Sequence, residues 1–282
     1  MLRSFTQVKN SVIVAWMCLV TSMCLWGSAF SVMKFLLSHM TPVTMMTARM
    51  LIGFLILIPG AILLKIKLPK REHLTLFVFM AFLEPCLYFL FESYAVLYTS
   101  ATEVGILIAL MPISTAFMAW FFLGEKTGKF STVCLLICVF GGCLLTLSSS
   151  HRQEAQQPIL GNLLAIGAVL CSSGYIILAK KLTSDYSVLT LLLFQLISGT
   201  VFFSFWWIIE GCLIPSLSHS VFTSLLYLGI AVTIGAYGLF TFSLSTLPAT
   251  TGGAATNIIP VVAIILGVFV LNERLSIAQW LG

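Results

Sequence analysis

The chain has 282 residues, 60% of them hydrophobic and 8% charged, with a mean hydropathy of +1.10 and a net charge of +5. An ordinary soluble domain carries about 25% charged residues, so this composition excludes a soluble globular fold. The basic excess sits in short loops between apolar segments, where it reads as a topology signal and not as a nucleic-acid surface.

A membrane-spanning helix needs roughly 20 mostly apolar residues, and such stretches follow one another almost without pause. Met1 to Asn10 is too polar, and the apolar run after it too long, for a cleaved signal peptide. Span 1 is expected over about Ile13–Leu37, with Trp26-Gly27-Ser28 and Lys34 inside it. Span 2 covers about Pro42–Leu64 and carries Arg49; the loop Lys65–His73 holds four basic residues. Span 3, about Leu74–Tyr98, contains Glu84-Pro85, Tyr88 and Glu92. Span 4 is about Thr102–Leu123, with Glu103 at its start, and span 5 is about Phe130–Leu147. A polar linker, Ser148–Pro158, separates the halves. Spans 6 to 9 follow at about Ile159–Ala179, Ser187–Ile209 (with Gln195), Val221–Leu247 (with Tyr237) and Ala249–Leu271 (with Asn257 and Pro260). A tenth begins at Ser276 and the sequence stops at Gly282, so the chain is expected to continue.

One stretch occurs twice. Shifted by 148 residues, Ala101, Thr102, Gly105, Pro112, Phe121, Leu123 and Glu125 coincide with Ala249, Thr250, Gly253, Pro260, Phe269, Leu271 and Glu273. Internal repeats are a mark of transporter architecture. The expected organisation is therefore a first repeat over 1–147, a linker over 148–158 and a second repeat over 159–282. With the N-terminus inside, the inner loops hold ten Lys and Arg and the outer loops two, a positive-inside bias. Five spans per half is an odd number, so the second half enters from the opposite side. The fold class expected is all-α integral membrane, about ten transmembrane helices in two inverted five-helix repeats.

A charge at mid-membrane costs about 2.5–3.5 kcal/mol and is by default a functional-site hypothesis. Lys34, Arg49, Glu84, Glu92 and Glu103 lie within or at the edges of spans, all in the first half; the second half offers Gln195 where the first has Arg49. Glu84, Tyr88 and Glu92 are spaced four and four, along one helical face covering about 12 Å. Two readings stand open: Arg49 neutralises a glutamate and locks spans 2 and 3 together, or a glutamate faces a water-filled cavity and binds a proton or a cationic substrate group. Adjacent spans on a short loop are natural neighbours, so Glu92 is expected to pair with Arg49. Glu84, deeper and beside Pro85, is the candidate coupling site. Pro85, Pro112 and Pro260 lack an N–H and should free the carbonyls of Ala81, Ile108 and Thr256; broken helices near the midplane are typical of transport sites. They are candidate hinges. Asn257, Trp26, Tyr88 and Tyr237 are candidate cavity contacts.

No catalytic constellation is present. His39, His73, His151 and His219 lie in different loops, the eight cysteines lack the spacing of a zinc site, and there is no Walker A sequence or nucleophile elbow. No metal and no cofactor is expected.

Trp26-Gly27-Ser28, Arg49, Tyr94-Ala95 through Ser100-Ala101, and the two proline-to-acid stretches ending in Gly124-Glu125-Lys126 and Asn272-Glu273-Arg274 are similar to the EamA-like branch of the drug/metabolite transporter superfamily. Ala236-Tyr237 and Leu247-Pro248-Ala249 extend the likeness into the second half. The resemblance implies ten helices around a cavity that opens alternately to each side. It also implies export of amino acids, other metabolites or drug-like compounds. The pair Glu84 and Glu92 is not part of that family pattern. The expected function is thus a secondary transporter of a small molecule, with protons as a coupling ion, in the plasma membrane (the bacterial inner membrane) with its N-terminus cytoplasmic. A lipid-modifying membrane enzyme and a non-transporting membrane partner are the alternatives.

Overall fold

The computed structural model describes residues 2–66, 69–99, 104, 107–125, 133, 137, 140, 157–212 and 217–271, with backbone alone for 2–10, 158, 263–264 and 267–271. Glu103, most of span 5, nearly all of the linker, and everything after Leu271 lie outside the described residues.

The described elements are helices: α1 (Leu2–Leu37), α2 (Pro42–Leu63), α3 (Leu74–Ala81), α4 (Tyr88–Tyr98), α5 (Met111–Leu123), α6 (Pro158–Leu182), α7 (Val188–Ile209), α8 (His219–Tyr227), α9 (Tyr237–Thr246), α10 (Ala249–Ala255) and α11 (Ile258–Leu271). Among the described residues six stretches are long and apolar enough to cross a membrane: Ser11–Leu37, Pro42–Leu63, Arg71–Tyr98, Ile159–Leu182, Val188–Ile209 and His219–Thr246. The sequence starts several of them with a hydroxyl cap. Thr41 accepts the Thr44 N–H, Ser187 that of Thr190 and Ser218 that of Val221, which satisfies an N–H the first turn leaves free. Gly124, at φ 66°, closes α5 in the left-handed conformation.

Two spans are interrupted. Between α3 and α4 a π segment runs Phe82–Leu87, where Glu84 leaves the helix at φ −148° and ψ 116°. Between α8 and α9 a second π segment runs Leu228–Ala236. Moved by the 148-residue repeat, the first falls inside the second. Spans 4 and 9 are also broken at their centres: α5 starts at Met111 after a turn, and the Thr256–Asn257 turn separates α10 from α11. Pro112 and Pro260 therefore stand in the first turn of a new helical piece, where the missing N–H costs nothing. The Thr256 carbonyl, expected to be free, accepts from the Ile259 N–H at 3.0 Å.

Packing crosses between the halves. The most extensive contacts of α2 are with α7 and the second π segment, those of α4 with α6, those of α1 with α11 and α9, and α5 packs on α10. α2 touches α4 only lightly. Glycine makes the closest approach: a Cβ on Gly229 would lie 2.6 Å from Ile52 Cγ2 and 3.2 Å from the Arg49 carbonyl oxygen. The outer surface is apolar, with Ile62, Leu63, Phe117, Phe121, Val201 and Phe205 exposed, as hydrocarbon solvent demands. The buried polar side chains lie inside.

Candidate functional site

Residues from both halves line a pocket of about 500 Å³, a volume that counts the open space at its mouth. The first half contributes Trp26, Arg49, Glu84, Tyr88, Phe89 and Glu92; the second contributes Ser172, Val232, Tyr237, Phe240 and Thr256. Three ionisable groups share this cavity almost wholly buried, Arg49 and Glu84 at 2% exposure and Glu92 at 5%.

The expected Arg49–Glu92 ion pair is not formed. Among the described residues no carboxylate oxygen lies within 4.0 Å of the guanidinium; Arg49 Nε instead donates to Thr233 Oγ1 at 2.6 Å. Its Cζ stands 4.3 Å from the centroid of the Phe89 ring, a cation–π contact worth about 2 kcal/mol when desolvated. The reason is the packing. Span 2 turns to spans 7 and 8 and not to its loop neighbour, so the side chain it meets is a threonine of the second half. Among the described residues, Thr233 is the only hydrogen-bond acceptor of the guanidinium, and the edge bearing both terminal nitrogens is left for something in the cavity.

The two glutamates are held by phenols. Tyr88 donates to Glu92 Oε1 at 2.6 Å, one helical turn along α4. Tyr237 donates to Glu84 Oε1, while Glu84 Oε2 is buried without a hydrogen-bond partner. At the break, Gln195 Nε2 donates to the Glu84 carbonyl at 3.2 Å. Trp26 packs against Tyr237 and Phe240 with ring centroids 4.9 Å from each, and its Nε1–H has no partner. A buried polar atom left unpaired costs about 1–3 kcal/mol. A donor edge, a carboxylate oxygen and an indole N–H all unpaired in one aromatic-walled cavity describe a place for a polar ligand.

Of the residues singled out from sequence, Glu84, Glu92, Arg49, Tyr88, Trp26 and Tyr237 come together here, and Gln195 stands directly behind Glu84. Asn257 is not among the lining residues; it occupies the turn next to Thr256 with its Oδ1 buried and unpaired. Pro85 sits at the π break. Sequence reasoning missed Thr233, Phe89 and Ser172. The one signal for Thr233 is its spacing, four residues after Gly229 and four before Tyr237, on one side of the same span. Among the described residues no three His, Cys, Asp or Glu come together as metal ligands.

Comparison with known proteins agrees with this architecture. The model of the EamA-like transporter family matches the chain twice, over residues 13–148 and 159–282. The uncharacterized transporter YetK of Bacillus subtilis is 27% identical over 276 residues, covering 95% of this chain and 83% of that protein. The uncharacterized transporter YwfM of the same organism is 26% identical over 266 residues, covering 91% and 86%. An uncharacterized transporter of Archaeoglobus fulgidus is 24% identical over 280 residues, covering 95% and 94%. A solved crystal structure superposes with a TM-score of 0.74 at 16% identity, over 97% of this chain and 92% of that one, which shows a shared fold. Two matches of one family model, spanning most of the chain, give the conclusion: the protein belongs to the EamA-like transporter family and is a multi-pass membrane transporter.

Proposed function

We propose that the chain is a secondary transporter that exports a small metabolite carrying both an acidic and a basic group, an amino acid foremost, by proton-coupled alternating access. The single observation that carries the reading is the pairing of open valences in one cavity: the free guanidinium edge of Arg49 and the unpaired Glu84 Oε2. The first suits a carboxylate and the second an ammonium, and the aromatic walls suit an apolar body between them. The outward direction follows the usual direction of transport in the family. Glu84 is the coupling residue of this reading, because a carboxyl at a helix break can exchange its hydrogen-bond partner for a proton or a substrate amine.

Alternating access draws support from the broken spans and from ties between the halves at one end of the bundle. There Glu125 of the first half accepts the N–H groups of Ala249 and Thr250 of the second at 3.0 and 3.1 Å. We read the whole as ten helices in two inverted repeats, 1–147 and 159–282, with the N-terminus cytoplasmic. Single cysteines at Gln156 and Lys67 should then label from opposite sides of an intact cell, and labelling from the same side would end the inverted-repeat reading.

The function is tested by counterflow of labelled amino acids into proteoliposomes, with and without a pH gradient. Uptake by the parent that responds to the gradient is expected, and Glu84→Gln should retain exchange while losing that response. A variant that still followed the gradient would remove Glu84 from the coupling step. A parent that moved no amino acid would remove the substrate class.

A further inference from the structure

We propose that Thr233 and Tyr237, four residues apart on span 8, are positioning residues that hold Arg49 and Glu84 of the other half aimed into the cavity, and thereby set the affinity for substrate. The inference rests on the function proposed above and deepens it.

Arginine has a long, rotamer-rich side chain, and a guanidinium free to wander in a cavity would lose entropy on gripping a ligand. Here it is fixed at two points. Phe89 lies under its plane, and Thr233 Oγ1 takes the Nε–H at 2.6 Å. The threonine oxygen is itself oriented. It donates its single proton to the Leu228 carbonyl at 2.8 Å, five residues back, which is the spacing of the π segment. With the proton used, Thr233 presents only lone pairs to Arg49, so the bond runs one way. The outer edge of the guanidinium is then turned to the cavity for a two-point grip.

Tyr237 does the same for the carboxylate. Its ring is held edge-on by Trp26 at 4.9 Å, Phe89 at 6.0 Å and Tyr175 at 6.1 Å. Its hydroxyl takes Glu84 Oε1 and leaves Oε2 free. Phe89 therefore meets one member of each pair, Arg49 over its ring and Tyr237 at its side. The contact between spans 2 and 8 that brings Thr233 within reach exists because Gly53 and Gly229 face it. A Cβ on Gly53 would stand 3.5 Å from Thr233 Cγ2 and 3.4 Å from the Gly229 carbonyl oxygen.

A merely structural hydroxyl and a positioning one differ in what their loss does to saturation. The test is counterflow of a panel of labelled amino acids by the parent, Thr233→Val, Thr233→Ser and Tyr237→Phe, read as half-saturating concentration and maximal rate. Thr233→Val keeps the shape and removes the acceptor. It should raise the half-saturating concentration about tenfold, with the maximal rate within about twofold of the parent. Thr233→Ser should restore it, and Tyr237→Phe should show the same split. In an Arg49→Lys background, where Nε is gone, Thr233→Val should add no further loss. If the parent transports and Thr233→Val saturates as the parent does, or if the Val and Ser variants are impaired equally, the positioning role is wrong while the transport function stands. If the parent moves no member of the panel, the proposed function fails and this inference with it.

Discussion

The two walls of the cavity are built from different chemistry. The first half brings every charge: Arg49, Glu84 and Glu92. The second half brings neutral groups, Thr233 and Tyr237 as direct partners, with Ser172 and Thr256 in the lining. The charges do not neutralise one another in close pairs. Arg49 is solvated by a hydroxyl and a ring, Glu84 by a phenol of the opposite half, and Glu92 alone by a neighbour in its own helix. A charge held by neutral groups keeps its capacity for an ionic ligand, whereas a closed salt bridge would have spent it. Two of these four supports, Thr233 and Tyr237, come from the other half, so in the alternating-access reading proposed above movement of the halves would alter the setting of Arg49 and Glu84 but not of Glu92.

That contrast is sharpest at Arg49, the one cation among the described lining residues. Arg49→Met keeps the aliphatic stem and leaves two buried carboxyl groups with no positive charge in the cavity. Loss of a buried hydrogen-bonded charge costs about 2–5 kcal/mol, so counterflow should fall by at least about thirtyfold. A turnover near the parent's would show that the charged wall does not touch substrate. Separating the walls comes next. Gly229→Ala pushes a methyl group to 2.6 Å from Ile52 Cγ2, and overpacking of this kind costs about 1–3 kcal/mol. A lower melting temperature in detergent is expected, with weaker saturation by substrate as Thr233 draws away from Arg49. If Gly229→Ala melted with the parent, the close contact of spans 2 and 8 would not be what sets the distance.

The prolines should matter less for folding than for rate. Pro112→Ala and Pro260→Ala fall in first helical turns, where alanine is tolerated, so both variants should insert and melt within about 1 kcal/mol of the parent. Slower counterflow in each would mark the breaks as moving parts, and unchanged turnover in both would mark them as incidental. The smallest effect is assigned to Glu92→Gln. The amide oxygen still accepts from Tyr88, and Arg49 has no contact to lose there, so yield and melting temperature should match the parent. A clear fall in yield or melting temperature would mean that Arg49 and Glu92 do pair.

Much of the site was legible in the chain because burying charge in hydrocarbon is costly wherever it happens. That rule alone picks out Arg49, Glu84 and Glu92, and the helical spacing adds Tyr88, which does meet Glu92. The spacing argument weakened at Glu84, because a face can be read along a helix only while the dihedral angles repeat, and at Glu84 they do not. Thr233 was not legible. An apolar span tolerates many threonines, and only the packing of span 8 on span 2 distinguishes this one.

The sequence by itself determined the solvent, the approximate position of the six long spans among the described residues and the 148-residue self-similarity, since hydropathy, caps and repetition are properties of local composition and order. Tertiary structure decided which span is whose neighbour, and with it who partners Arg49. The loop joining spans 2 and 3 constrains their ends and not their faces. At the contact of spans 2 and 8 two small residues, Gly53 and Gly229, let backbones of opposite halves approach closely.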